Sequence, residues 1–265
     1  MIDLHSHILY GWDDGAKTLD DSLAMARLAA ERGTRVIAAT PHLFWQNQRV
    51  DPQWIRTATD ELNEAIQTEG IPIQVVPGAE IPADWDNLTL IERGLAPRLG
   101  NSKAVLFEVP FVNLPVRFKD LVFHLQMEGF VPLLAHPERC QVYLANPDAF
   151  YRDVEADTPI QITAGSLTGG FGEKVFDFAW RLIMDERPIV IASDTHNIVK
   201  RRPGLRRAYD AVAQQFGEEA ATLMCDGNPK ALLDDRPPRI ARIPREPRHA
   251  AAPARRGLLK RAFGR

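Results

Sequence analysis

The sequence has little cysteine and no long apolar run. Its 265 residues include two cysteines, Cys140 and Cys225, too few for a disulfide framework and in keeping with a reducing compartment. No apolar run approaches the roughly 18 residues needed to cross a bilayer. The first residues, Met-Ile-Asp-Leu-His, lack the basic and apolar regions of an export signal. These absences predict a cytoplasmic protein that does not span a membrane.

A nucleotide-binding loop is also missing. The sequence contains no Gly-x-x-x-x-Gly-Lys segment, the pattern that cradles nucleotide phosphates in the P-loop proteins. The glycines at 165, 169, 170 and 172 therefore predict a flexible loop. Kinase activity is not supported.

Charge divides the chain into two parts. Residues 236–265 contain ten Lys and Arg, one acid and five prolines, whereas residues 1–235 have a net charge of −12. The basic segment has few large apolar residues, so it cannot bury enough surface to offset the entropy cost of ordering. We predict one domain at 1–235 and a disordered Pro- and Arg-rich tail at 236–265.

Short β-branched runs alternate with helical patterns in the first 235 residues. The predicted strands are Met1–Leu4, Val36–Thr40, Ile73–Pro77, Ala104–Val109, Val131–Ala135, Ile160–Thr163 and Ile189–Ala192. The predicted helices are a first one between Thr18 and Gly33, then Asp51–Glu69, Phe118–Glu128, Glu173–Asp185 and Leu205–Phe216. This alternation predicts an α/β fold with a parallel sheet, and seven such units favour a distorted (β/α)7 TIM-like barrel. An open doubly wound sheet is the alternative.

Potential metal ligands stand at the ends of six predicted strands. They are, in chain order, His5 and His7, His42, Glu80, Glu108, His136, and Asp194 and His196. In a β/α barrel the carboxyl ends of the strands meet at one mouth, where active sites are built. We therefore expect these side chains to converge around bound cations.

Two of these pairs are two residues apart, His5 with His7 and Asp194 with His196. On extended backbone such side chains point to the same face, so each pair can hold one cation. A lone His or Glu at a strand end is more often an ordinary polar residue, and the prediction depends on their joint occurrence. Mixed imidazole and carboxylate ligation suits Mn, Fe or Zn better than Ca or Mg.

Several segments resemble one known family. They are Asp-Leu-His-Ser-His at 3–7, Asp-Asp-Gly at 13–15, Thr-Pro-His at 40–42, Gly-Ala-Glu at 78–80, Glu108, His-Pro-Glu-Arg at 136–139 and Ser-Asp-Thr-His-Asn at 193–197. In this order and spacing they resemble the bacterial manganese-dependent protein-tyrosine phosphatases of the polymerase-and-histidinol-phosphatase (PHP) superfamily. The resemblance runs from residue 2 to about residue 233, and it implies the PHP type of barrel.

The resemblance implies three divalent metal ions, manganese first, with iron or zinc as alternatives. The implied ligand sets are His5, His7, Glu80 and Asp194 for the first ion, Glu80, Glu108 and His136 for the second, and Asp14, His42 and His196 for the third. Asp14 is assigned over Asp13 because it directly precedes the glycine, as in the family motif. A shift of one position between these two neighbours stays open.

Two arginines are assigned to phosphate binding and catalysis by the same resemblance. Arg139 follows His136 by three residues, and Arg201 follows His196 by five. A guanidinium can bind two phosphoryl oxygens and stabilise charge that develops in the transition state. Arg202 stays open as the substitute for Arg201, because two adjacent arginines stand here where the family usually has one.

The function implied is the removal of phosphate from phosphotyrosine in proteins. The expected partner is the phosphorylated tail of a tyrosine kinase that controls capsule or exopolysaccharide synthesis. A cysteine-based mechanism is excluded, because that class needs an arginine six residues after the cysteine, and Asn146 and Ala231 stand at those positions.

Other functions stay open on the sequence alone. Within the superfamily the alternative is a phosphatase for histidinol phosphate or another small molecule, or an exonuclease-like phosphodiesterase. A different class would be a non-enzymatic adaptor in polysaccharide export. The acidic body disfavours nucleic acid as a partner, and the basic tail predicts at most weak peripheral membrane contact. The sequence leaves the oligomeric state open.

Overall fold

The structure, a computed structural model, describes residues 1–243 and has a mixed α/β fold. Its strands are β1 (Ile2–Asp3), β2 (Val36–Ala39), β3 (Phe44–Trp45), β4 (Gln48–Arg49), β5 (Gln74–Pro77), β6 (Glu80–Pro82), β7 (Ala104–Glu108), β8 (Val131–Ala135), β9 (Ile160–Thr163) and β10 (Ile189–Ala192). Its α-helices are α1 (Leu19–Glu31), α2 (Pro52–Thr68), α3 (Trp85–Glu92), α4 (Phe118–Met127), α5 (Gln141–Ala145), α6 (Pro147–Asp153), α7 (Glu173–Met184), α8 (Arg206–Phe216), α9 (Glu218–Thr222) and α10 (Asn228–Leu233).

Neighbouring strands follow chain order and run parallel. One sheet has the order β1-β2-β5, and a second has the order β10-β9-β8-β7-β6. Two isolated parallel bridges lie between strands of the two sheets, Ser6 with Thr195 and His42 with Glu80. The remaining pair, β3 and β4, is an antiparallel hairpin that begins at Phe44, two residues after His42.

The ends of the first two helices follow from local side-chain chemistry. Thr18 caps α1 by accepting a hydrogen bond from the backbone N–H of Asp21, whose side chain accepts in return from the backbone N–H of Thr18. Asp51 caps α2 and is followed by Pro52 at the first helical position, where the missing N–H costs nothing. Both caps satisfy backbone groups that a helix end leaves unpaired.

Strands β7 to β10 are buried on both faces. In β7, Ala104 and Leu106 pack in a small apolar cluster with residues of β1, β2, β8 and β10. Val105 and Phe107, which alternate with them, pack instead in the large cluster that contains the helices. Alternate side chains point to opposite faces of a strand, so Glu108 shares the face of Leu106. The carboxylate of Glu108, at the end of β7, therefore lies on the same side of the strand as the small apolar cluster.

The predicted strands and helices are present, with ends that differ by one or two residues. The sequence reasoning missed strand β6, helix α3, the short helices α5, α6, α9 and α10, and the β3–β4 hairpin. Residues 236–243 also make defined contacts: the side-chain amide of Asn228 donates to the backbone carbonyl oxygen of Arg239 and accepts from its backbone N–H, and Ala241 is buried. The rest of the predicted tail, 244–265, lies outside the described residues.

Across the described part, none of the helices has both the length and the apolarity that crossing a membrane requires.

Candidate metal centre

Glu80 lies at the centre of a cluster of four imidazoles. Its Oε1 atom is 2.9 Å from Nε2 of His136 and 3.3 Å from Nε2 of His5. Its Oε2 atom is 3.0 Å from Nδ1 of His42 and 3.4 Å from Nε2 of His7. The carboxylate is almost fully buried, so one acidic group joins imidazoles that follow three different strands, β1, β2 and β8.

Asp194 is the second buried carboxylate of the cluster. Its Oδ1 atom lies 3.4 Å from Nε2 of His5 and 3.7 Å from Nδ1 of His196. Its Oδ2 atom accepts a hydrogen bond from Nη1 of Arg139 over 2.6 Å and also pairs with Arg201. Both predicted phosphate-binding arginines therefore converge on one acid at the edge of the centre.

Potential ligand atoms form overlapping groups in which all atoms lie within 4.8 Å of one another. The groups are His7, Asp14, His42 and His196; His5, His7 and Glu80; His5, His136 and Asp194; and His42, Glu80 and Glu108. The third predicted set lies together, with His7 added. The second set is arranged differently: Glu108 groups with Glu80 and His42, whereas His136 contacts Glu80 and groups with His5 and Asp194.

The donor atoms fit divalent cations. Within residues 1–243, the buried Nε2 atoms of His5 and His7 have no hydrogen-bond partner, yet they face carboxylate oxygens. An imidazole nitrogen lone pair beside a carboxylate is the ligation that Mn, Fe and Zn accept. These residues can therefore hold such ions.

Burial and neighbouring charges shift the pKa values of the cluster residues in different directions. Burial lowers the pKa of His42, but the carboxylates of Asp14 and Glu80 outweigh burial and raise it to about 10. Burial, together with the charge of Glu80, raises the pKa of Glu108 to about 7. A bound cation would favour the ionised carboxylates by its own charge. Burial also lowers the pKa of His136, which favours the neutral imidazole that ligates a metal.

Asp13 and Asp14 have different roles. The Asp13 carboxylate accepts a hydrogen bond from Nδ1 of His7 over 2.7 Å and from backbone groups of His42 and Gly15. Asp14 is 43% exposed at the rim, and its Oδ1 atom lies 3.3 Å from Nε2 of His196. The structure thus places Asp14 among the potential ligands and Asp13 behind His7. A Cβ atom on Gly15 would lie 2.1 Å from the carbonyl oxygen of His7, so this turn requires glycine.

Replacing Asp13 with asparagine is expected to weaken metal affinity by about 10- to 100-fold, the usual effect of losing a carboxylate behind a histidine ligand. The side chain keeps its size, but Nδ1 of His7 loses an ionised acceptor. Metal titration of the purified variant measures the change. Asp20→Asn, on the exposed side of α1, is the matched control. Equal affinities for both variants and the parent would contradict this role.

Gln161 positions His5 in a comparable way. It lies on β9, the predicted strand that contributes no ionisable ligand, and its side-chain oxygen is 3.0 Å from Nδ1 of His5. An amide oxygen can only accept, so the proton lies on Nδ1 and leaves Nε2 free towards Glu80 and Asp194. The sequence reasoning missed Gln161 and the role of Asp13, because it considered only groups that could ligate directly.

Two residues of the centre leave their strands in the left-handed backbone region. His136 has φ 38° and Asp194 has φ 52°, a conformation that costs about 1 kcal/mol or more for a residue with a Cβ atom. The prediction that Asp194 and His196 share a face because the backbone stays extended is therefore wrong in its reason. The turn at Asp194, and not alternation, brings the two side chains together.

Aromatic rings surround the arginine end of the centre. The guanidinium of Arg139 lies over Phe111 at 4.7 Å and over Phe171 at 4.4 Å from the ring centroids. Phe111 also stacks on His136 with an interplanar angle of 16°. Both phenylalanines come from loops whose sequence carries no periodic signal, so the sequence reasoning did not find them.

The structure distinguishes the two neighbouring arginines. Nη1 of Arg201 donates to Nε2 of His196 over 2.7 Å, and its other amino group pairs with Asp194. Arg202 is exposed, and its Nε atom donates to the carbonyl oxygen of Val199. Arg201, and not Arg202, therefore lies in the centre.

The family of this chain follows from comparison with known proteins. Residues 1–234 match the family described as capsular polysaccharide synthesis, CpsB/CapC. The chain belongs to this family. The matched segment contains every potential metal ligand described above, as well as Arg139 and Arg201.

Curated members of the CpsB/CapC family cover most of the chain. The tyrosine-protein phosphatase YwqE of Bacillus subtilis is 38% identical over 237 residues, which are 88% of this chain and 91% of YwqE. The tyrosine-protein phosphatase CpsB of Streptococcus pneumoniae is 29% identical over 241 residues, 89% of this chain and 99% of CpsB. The similarity is therefore to whole proteins.

Solved structures agree with this membership. A chain from the crystal structures of YwqE of B. subtilis and CpsB of S. pneumoniae, described there as unique metal-dependent tyrosine phosphatases, is similar with a TM-score of 0.85. It is 35% identical and covers 91% of this chain and 100% of its own length. A β-aspartyl dipeptidase of Fervidobacterium islandicum, with a TM-score of 0.51 and 12% identity over 88% of this chain and 72% of its own, shows likeness of fold alone.

Proposed function

We propose that this protein is a metal-dependent phosphatase that hydrolyses phosphotyrosine in proteins. The observation that carries the proposal is the buried carboxylate of Glu80 among four imidazoles, with Arg139 and Arg201 meeting at the neighbouring Asp194. The relatives named tyrosine-protein phosphatases are similar in sequence to this chain over most of its length. A small-molecule phosphatase or a non-enzymatic adaptor has no comparable support.

The proposed ions are three divalent cations, manganese first, held by His5, His7, Asp14, His42, Glu80, Glu108, His136, Asp194 and His196. When bound, they would supply Lewis acidity to a phosphoryl oxygen and to a water molecule. The ligand groups overlap through His5, His7, His42 and Glu80. Shared ligands of this kind favour several ions that lie close together, and they disfavour ions bound at separate, distant sites.

The arginines provide the part of the mechanism that the chain performs itself. Arg139 is held between Phe111 and Phe171, so its planar fork is oriented before substrate arrives. A fork of this kind donates two parallel hydrogen bonds to phosphoryl oxygens. Arg201 adds a second positive charge from the loop between β10 and α8. Because the phenol of tyrosine has a pKa of about 10, its phenolate is a better leaving group than the alkoxide of serine.

The proposed substrate is the phosphorylated tail of a tyrosine kinase that controls capsule or exopolysaccharide synthesis. The support is the family description and the names of the relatives. We propose no nucleic acid partner, since residues 1–235 are acidic.

We further propose that the parallel strands close into a distorted seven-stranded barrel formed by residues 1–235, in which β5 and β6, separated by two residues, count as one interrupted strand. The two isolated bridges support closure, since one joins the end of β1 to the end of β10 and the other joins the end of β2 to β6. Backbone hydrogen bonds from Asp194 to His5 and from His7 to Thr195 support the first junction. The apolar cluster shared by β1, β2, β7, β8 and β10 would fill the interior.

Removing the metals is expected to abolish hydrolysis of a phosphotyrosyl peptide, and adding back Mn²⁺, Fe²⁺ or Zn²⁺ singly is expected to restore it to different extents. Chelator treatment followed by elemental analysis and a phosphate-release assay measures this. Histidinol phosphate serves as the comparison substrate and is expected to be hydrolysed poorly. Full activity in protein shown to be metal-free would contradict the proposal.

A further inference from the structure

A basic cleft adjoins the metal centre. It has a volume of about 390 Å³, and Asp194 and Arg201 form part of its wall. Four further cationic residues line it: Arg32, Lys200, Arg202 and Arg207. Because it shares Asp194 and Arg201 with the centre, a group bound in the cleft would lie beside the candidate metal site.

The positive charge of the basic cleft is not neutralised by the protein. Among the residues that line it, Asp194 is the acidic one, and this buried carboxylate already pairs with Arg139 and Arg201. Within the described part of the chain, the four further cations form no ion pair with an acid. Residues 1–235 carry a net charge of −12, so an unpaired group of four cations runs against the charge of the protein as a whole.

Backbone geometry holds the basic cleft in shape. Gly204 has φ 113°, and a Cβ atom there would lie 2.6 Å from Cδ of Arg32. Nη1 of Arg32 donates to the carbonyl oxygen of Pro203 over 2.7 Å, and Nε of Arg202 donates to that of Val199. These bonds use one donor of each guanidinium and leave other N–H groups for a ligand.

We propose that the basic cleft binds an anionic side chain that neighbours the phosphotyrosine in the same polypeptide. This inference rests on the proposed phosphatase function. An extended chain advances about 3.3 Å per residue, so a cleft that begins at Asp194 is reached by residues close in sequence to the reacting tyrosine. The ligand chemistry is a carboxylate or a second phosphoryl group, both of which arginine forks bind. The cleft thereby selects tyrosines in acidic or multiply phosphorylated segments.

Three peptides of equal length test the proposal. Each contains one central phosphotyrosine, flanked on both sides by glutamates, by glutamines, or by glutamine and a second phosphotyrosine. We expect KM for the acidic peptide to be about tenfold lower than for the glutamine peptide, the combined effect of several exposed ion pairs, with little change in kcat. Raising the salt concentration should shrink this difference, because exposed charges are screened.

Variants locate the effect. Lys200→Gln combined with Arg207→Gln is expected to bring the KM ratio of the neutral and acidic peptides close to one. The control, Arg56→Gln with Arg98→Gln, removes the same charge at exposed positions outside the cleft lining and should keep the ratio of the parent.

The outcomes separate the two proposals. If no phosphotyrosyl peptide is hydrolysed, the proposed function fails. If all are hydrolysed with equal KM, or if the Lys200/Arg207 variant keeps the preference, the function stands and the cleft inference is overturned. A preference for the doubly phosphorylated peptide alone supports the inference and identifies the phosphoryl group as the ligand.

Discussion

Replacing Glu80 with glutamine is expected to lower kcat/KM by more than about a thousandfold and to remove most of the bound metal. Losing an outer-shell partner of a ligand already costs about 10- to 100-fold in metal affinity, and Glu80 contacts four imidazoles directly. The amide has the same size, but it carries no charge and offers one acceptor instead of two oxygens. The imidazoles of His5, His7, His42 and His136 therefore lose the anion they share.

The Glu80 prediction has a matched control elsewhere in the chain. Glu92 lies 3.1 Å from Nε2 of His124 on the protein surface, so Glu92→Gln breaks a carboxylate–imidazole contact that no proposed ion uses. Elemental analysis, kcat/KM and thermal unfolding with and without added Mn²⁺ compare the two variants. The parent should gain stability from the metal through ligand binding to the folded state, and Glu80→Gln should not. A Glu80→Gln protein with full metal content and activity would rule out its central role.

The position of the centre could be predicted because parallel β/α topology fixes where strand ends meet. His42, Glu108 and His136 are far apart in the sequence, yet each follows or ends a strand that alternation and β-branched residues indicate. The structure brings them into one cluster for that reason. The backbone topology alone places the carboxyl ends of the parallel strands on one side of the fold, whatever the side-chain contacts are.

The residues behind the ligands could not be predicted in the same way. Asp13 and Gln161 support His7 and His5 through contacts that form only in the folded chain. Asp13 differs from its neighbour Asp14 by the turn at Gly15, which sends one carboxylate inward and the other to the rim. Glutamine on a buried strand carries no sign of which imidazole it will meet. The short helices were missed for a different reason. Segments of five to seven residues span too few turns to show a helical period.

Glu138 links the two loops around Arg139, which sequence reasoning also did not foresee. Its buried Oε1 atom accepts hydrogen bonds from the backbone of Thr163 and the hydroxyl of Ser166. The turn that contains Arg139 is thereby fixed to the glycine-containing loop that carries Phe171. A loop predicted as flexible from its glycines thus has a defined anchor at its beginning, and it forms one side of the aromatic clamp on Arg139.

Replacing Arg139 with lysine is expected to lower kcat by about 100- to 1,000-fold, the usual cost of losing one donor that stabilises transition-state charge, while metal content stays close to that of the parent. Lysine keeps the positive charge near Asp194 but has no planar fork to donate two parallel hydrogen bonds. Its ammonium is also less suited to stacking between Phe111 and Phe171. Steady-state kinetics on a phosphotyrosyl peptide and elemental analysis measure both quantities.

Arg187 offers a control with the same surroundings and no proposed role in the reaction. Its guanidinium lies over Phe150 at 4.8 Å and over Tyr151 at 5.4 Å, and it donates to backbone carbonyl oxygens of Val154 and Glu155. Arg187→Lys should lower the unfolding temperature and leave kcat per folded molecule unchanged, because what it loses is packing and hydrogen bonding. Arg139→Lys should do the reverse, with a large loss of rate and a small change in stability. Similar kinetic effects in the two variants would show that stacking of an arginine, and not phosphate binding, accounts for the importance of Arg139.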